Sequence, residues 1–178
     1  MSYELAPLVD VYRDALLDDV LPFWLRHSLD HDHGGYFTCL ERDGSVYDTD
    51  KFMWLQARQV WLFSALYNRL EQRDEWLNVA THGAKFLLKH GMDKDGSWFF
   101  ALNRKGQPIV QPYNIYSDCF AAMAMSQYAL ATGDDHAKRV ALDTFHHIQA
   151  RKDNPKRQWS KAGSAARPFV GLGFSMMM

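Results

Sequence analysis

Cysteine is nearly absent: the 178 residues contain Cys39 and Cys119 and no others. Two cysteines make no disulfide framework and no metal pattern, and their contexts, FTCLE and SDCFAAM, predict free buried thiols. Long apolar runs are also missing. The longest fall far short of the roughly 20 residues that cross a bilayer. The opening MSYELAPLVDVYRDALL has no basic start followed by an apolar run and a small-residue cleavage site, so a cytoplasmic protein without a membrane partner is expected. Charge of one sign is lacking too. Twenty Lys and Arg against 21 Asp and Glu leave a formal net charge of -1, which makes no electrostatic case for nucleic acid. There is no Gly-rich phosphate loop ending in Lys-Ser/Thr and no metal-ligand spacing, so no metal is expected. What the chain has in quantity is aromatic surface. Six Trp, eleven Phe and eight Tyr fit either a large aromatic core or a carbohydrate cleft.

The segment from Tyr47 to Trp61, YDTDKFMWLQARQVW, organises the rest. Asp48 or Asp50 can cap a helix, and Phe52, Leu55, Val60, Leu62, Phe63, Leu66 and Tyr67 recur behind them at helical spacing, to about Glu71. A helix this apolar is an inner one, yet it carries Lys51, Gln56 and Arg58, whose polar heads need partners or a wet cavity. Trp54 and Arg58 are four apart and share a face. A tryptophan ledge beside a guanidinium suits a sugar, whose apolar faces pack on the ring while its oxygens accept hydrogen bonds. An arginine paired with a carboxylate inside a helical core would use the same residues.

Along the chain, a helix is expected from Leu5 to about His27, kinked at Pro22. Gly34-Gly35 breaks it, Tyr36 to Leu40 has strand-like composition, and Asp43-Gly44 signals a hairpin turn. A helix from about Asp74, a plausible cap, to His90 stops at Gly91, and a further one runs from about Asp135 to Arg151. GGYFTCLERDG (34–44) aligns with GSWFFALNRKG (96–106) at a constant offset of 62, which lays the helix Tyr113 to Ala131 under Lys51 to Arg69 and Tyr116 beneath Trp54. This is an internal repeat of outer helix, hairpin loop and inner helix. Such repeats predict an all-α fold, an α/α toroid with short β-hairpin loops, of which about three helical hairpins are present; Pro168 to Met178 begins the third inner helix. Three hairpins do not close a ring, so an exposed apolar edge is expected.

WLQARQVWLFSALYNRL, preceded by HGGYFTCLERDGSVYDTDKF, resembles the N-acylglucosamine 2-epimerase (renin-binding protein) family. The likeness runs on through KFLLKHGMDKDGSWFFALNRKGQPIVQPYNIYSDCFAAMAMSQYALATG and RKDNPK. It implies a closed barrel of six hairpins, with residues 1–178 as the N-terminal half of one catalytic domain, and a homodimer. It also implies an isomerase that interconverts N-acetylglucosamine and N-acetylmannosamine by removing and returning the C2 proton, with no required cofactor and with ATP as an allosteric activator. Arg58 matches the family's arginine and would be catalytic, steadying charge on the carbonyl oxygen. Trp54, Tyr113, Asn114, Tyr116, Asp118, Gln56 and Lys51 are the candidate sugar contacts.

Proton transfer on both faces of C2 calls for two groups titrating near neutrality. The family's two histidines match no position here, so residues 1–178 alone are expected to be inactive. His31 and His33 lie in a charged loop, His82, His90 and His136 on outer helices, and His146 and His147 point apart. After Arg151, a basic connector with Lys152, Lys156 and Arg157 offers a possible anion or nucleotide site, with plain solvated surface as the simpler reading. A glycosidase would need two facing carboxylates, and these segments offer Asp118. The resemblance also leaves open another sugar epimerase, such as a cellobiose 2-epimerase, or an aldose-ketose isomerase of the same superfamily, and a sugar- or protein-binding module of renin-binding type is the non-enzymatic alternative.

Overall fold

The computed structural model describes residues 5–112, 115–153 and 176. Helix α1 (Ala6–Asp14) passes through a π-helical stretch (Ala15–Val20) into α2 (Leu21–His27). The chain remains right-handed helical at Asp14, Val20 and Leu21, so Pro22 produces no break. The wider turn just upstream absorbs the missing N–H and the ring's clash with the preceding carbonyl. Then come β1 (Cys39–Leu40), β2 (Val46–Asp48), β3 (Lys51–Phe52), α3 (Met53–Arg69) and α4 (Asp74–His90). Strands β4 (Ala101–Leu102) and β5 (Pro108–Val110) precede α5 (Tyr116–Thr132) and α6 (Asp135–Ala150).

Helix α3 packs against α4 and α5, and α5 packs against α6. The inner pair α3 and α5 thus stands side by side, with α4 and α6 outside. On α4, Trp76, Val79, Ala80, Gly83, Ala84, Phe86 and Leu87 form one buried stripe at helical spacing. Asp74 and Glu75 in its first turn and Lys89 and His90 in its last complement the helix dipole. Gly83 is required by contact: a Cβ there would lie 2.2 Å from the Tyr36 hydroxyl. That hydroxyl donates to the Val79 carbonyl at 2.7 Å. Helix α6 is capped by Asp134, whose carboxylate accepts from the His136 and Ala137 amides.

The strands are shorter than the composition of 36–40 suggests, because Tyr36 turns inward and is wholly buried. β1 pairs antiparallel with β2, and β4 with β5. β3 pairs with β4, Lys51 opposite Leu102, and so ties the first repeat to the second. This pairing corrects the expected start of α3. Phe52 is its N-cap in extended conformation, and neither Asp48 nor Asp50 caps it. Likewise Arg73, not Asp74, precedes α4. Cys39 and Cys119 are free, the first half-buried and the second buried. Apolar side chains lie bare on α1, where Val11 is 62% and Tyr12 73% exposed. The third inner helix falls outside the described residues.

Candidate functional site

The inner helices α3 and α5 bring two aromatic rings beside the Arg58 guanidinium. The Arg58 guanidinium lies 5.6 Å from the Trp54 ring centroid and 5.4 Å from that of Phe120 on α5. The two rings are 6.2 Å apart and inclined by 42°. Arg58 is exposed, and among the described residues it makes no ion pair or hydrogen bond. A guanidinium lying beside two aromatic rings, with no partner among the described residues, has donors left for a ligand's oxygens. Arg58 also borders a cavity of about 270 Å³ whose walls include Trp24, Thr38, Leu55, Gln59 and Leu62. Tyr116 opens α5, 38% exposed, at the position that repeats Trp54.

Three expected sugar contacts have other work. Lys51 is fully buried: its Nζ donates to Asp30 Oδ2 at 2.9 Å, to the Arg104 carbonyl at 3.0 Å and to the Gly34 carbonyl, and it stands 4.5 Å over the Phe86 ring. With its donors satisfied, it faces no cavity ligand. Burial pushes its pKa down against the pull of Asp30. On Asp30, burial works against ionisation, yet hydrogen bonds from Arg104 and Lys51 win and hold the carboxyl far below the usual range.

Gln56 is buried with its amide doubly paired to Tyr36, Oε1 accepting from the backbone N–H and Nε2 donating to the carbonyl, both at 2.8 Å. Asp118 is its counterpart at the 62-residue offset and is also buried. It accepts from Arg151 Nη1 at 3.0 Å, and the Trp98 backbone N–H lies against its carboxylate. Trp98 is the repeat partner of Tyr36, so both side chains brace the backbone of a buried aromatic. Burial raises the Asp118 pKa, while Arg151 opposes.

Tyr113, Asn114, Lys156 and Arg157 lie outside the described residues. Lys152 is exposed just after α6. No histidine borders the Arg58 cavity. His147 Nδ1 is 3.2 Å from the Gly96 carbonyl, a loop contact. Among the described residues no group of three or more His, Cys, Asp or Glu could hold a metal ion. None of their helices is long and apolar enough to cross a membrane. Phe120 was missed by sequence reasoning, although the 62-residue offset from Arg58 points to it.

Alternating inner and outer helices with exposed polar and aromatic groups on the inner face define the class, an arc of an α/α toroid. The family profile described as N-acylglucosamine 2-epimerase (GlcNAc 2-epimerase) matches residues 35–171, and the chain belongs to that family. The N-acylglucosamine 2-epimerase of Rattus norvegicus is 42% identical over 136 residues, which are 74% of this chain and 32% of the relative. That of Homo sapiens is 37% identical over 162 residues, 86% and 38% of the two chains. The chain thus spans about a third of the length of the curated relatives it matches. Among solved structures, the cellobiose 2-epimerase of Bacillus thermoamylovorans superposes with a TM-score of 0.76 at 25% identity. The match covers 88% of this chain and 42% of that one.

Proposed function

We propose that this chain forms the Arg58 side of the active site of a sugar 2-epimerase acting on N-acetylglucosamine and N-acetylmannosamine. The observation that carries the reading is the Arg58 guanidinium, without an ion pair or hydrogen bond among the described residues, beside the Trp54 and Phe120 rings of the inner helices. Deprotonation at C2 of an open-chain aldose moves charge onto the carbonyl oxygen. A guanidinium that cannot itself lose a proton stabilises that charge, and the flanking rings pack on the sugar's apolar edges. The names of the matched relatives, N-acylglucosamine 2-epimerases and cellobiose 2-epimerases, support the same chemistry.

Residues 1–178 then constitute the N-terminal half of a single barrel domain, bind sugar without turning it over, and require an acid-base pair from the remainder. A glycosidase is disfavoured because Asp118, the one carboxylate offered for that role, is buried against Arg151. A cytoplasmic homodimer, activated by ATP at the basic connector of Lys152, Lys156 and Arg157, completes the proposal.

Proton NMR in deuterated water tests it. A version extended to the relatives' length is expected to interconvert the two sugars with deuterium entering C2. Arg58→Ala in that version should lower kcat by about 100-fold or more, and the 178-residue chain should show no turnover. Epimerisation without deuterium incorporation, or full activity of Arg58→Ala, would overturn the mechanism.

A further inference from the structure

A second concave site lies on the outer helix, away from Arg58. It is a cavity of about 380 Å³ between the turn after α2 and α4. Its walls include His33 from the turn and His82, Lys85, Lys89 and His90 from α4. Among the described residues no carboxylate lines it. The two acidic groups of the adjoining turn are engaged elsewhere. Asp30 is buried against Lys51 and Arg104, and Asp32 accepts from Arg104 Nη2 at 2.8 Å. Lys85 and Lys89 are exposed and form no ion pair among the described residues. Lys51 adds a buried positive charge behind Phe86, which also borders the cavity.

The histidines register this crowding of cations. Burial lowers the His82 pKa, and the neighbouring His31 and Lys51 lower it further, against hydrogen bonding to the Gly35 and Asp30 carbonyls. Burial lowers that of His90, with Lys89 and Lys51 adding to the effect. An anion in the groove would relieve the repulsion, because each cation gains a partner.

We propose that this groove binds a phosphate-bearing small molecule, its oxygens taken by Lys85, Lys89, His33 and His90. Two exposed ammonium groups and convergent imidazoles suit a dianion. The cavity is larger than a phosphate alone, and Asn78 and Thr81 border the remainder with neutral polar groups. Binding a dianion favours the charged imidazoles, so affinity for an anion that stays doubly charged rises as pH falls. The other groups facing these histidines are fixed cations (Lys51, Lys85, Lys89), the engaged pair Asp30 and Asp32, and His31.

The test uses the 178-residue chain with inorganic phosphate and, in a parallel arm, glucose 6-phosphate, each against sodium chloride at matched ionic strength. Imidazole NMR is expected to show upward pKa shifts at His82 and His90 and none at His136 or His146. Calorimetry with sulfate, which stays a dianion throughout, should give tighter binding at about pH 6 than at about pH 8. Lys85→Gln with Lys89→Gln should weaken affinity roughly tenfold or more, while Lys138→Gln with Arg139→Gln on α6 should leave it intact. Tighter binding of glucose 6-phosphate than of phosphate would assign the remaining volume to an organic group, and equal binding would confine recognition to the phosphate. Equal shifts at all eight histidines, or equal affinity of both double variants, would mean adventitious anion binding and overturn the proposal. The reading of Arg58 would be untouched by that outcome.

Discussion

The two hairpin repeats share a backbone but not an ionic frame. Gly44 and Gly106 take φ values of +88° and +84° at their turns, and each presses on the histidine that ends the preceding outer helix, His27 or His90. Asp30 and Asp93 both accept backbone amides of their own loops, Asp30 from Asp32 and His33, Asp93 from Asp95 and Ser97. The resemblance ends there. Asp30 is wholly buried and bound by Lys51 and by Arg104 of the other repeat, whereas Asp93 is half-buried and braces its own loop. Turn geometry is therefore set locally, and the ion network joins the repeats.

The largest effect that would break this contrast is Lys51→Met. It leaves Asp30 buried with a half-exposed arginine as its remaining cation, and should cost about 3 kcal/mol in chemical denaturation. Asp93→Ala should cost about 1 kcal/mol, the usual worth of a local amide bond. Equal losses would show that the buried network contributes nothing special.

Next comes acid. The Asp30 pKa is depressed in the fold, so its stabilisation is fully present above the unfolded value near 4 and is lost as pH falls toward the much lower folded value. The Asp118 pKa is raised, so the cost of keeping it ionised disappears as pH falls through its folded pKa to the unfolded one. Denaturant midpoints followed from neutral to acid pH should therefore change slope in opposite senses in Lys51→Met and Asp118→Asn. The same slope change in both would refute the assignment.

Gln56→Ala strands the Tyr36 backbone groups and should cost about 1–3 kcal/mol. An unchanged midpoint would mean that the brace is dispensable. Smallest is Phe120→Ala, which replaces one of the two rings facing Arg58. It should weaken sugar binding by about 0.5–1 kcal/mol in calorimetry. Unchanged binding would restrict the platform to Trp54.

Helical periodicity made α4 and α6 legible to within a residue or so, because an amphipathic outer helix displays its buried stripe. The repeat was legible as well, and its offset holds from strand to strand. What could not be read was the destination of polar groups on the inner helices and on the strand that leads into the first of them. Lys51, Gln56 and Asp118 looked like cavity residues because nothing in the local sequence names Asp30, Tyr36 or Arg151, which lie 21, 20 and 33 positions away, as their partners. Arg58 differs in having no such partner among the described residues. That distinction is one of tertiary contact, invisible to spacing.

The pairing of β3 with β4 also has a consequence in time. Lys51 and Leu102 are 51 positions apart, so the strand that leads into α3 cannot be pinned until the second hairpin has left the ribosome. At roughly 5–20 residues per second, that is an interval of several seconds in which α3 and α4 exist without their seam. The first repeat waits for the second, and the nascent chain carries an unpaired strand edge and a Lys51 without its Arg104 carbonyl through that interval.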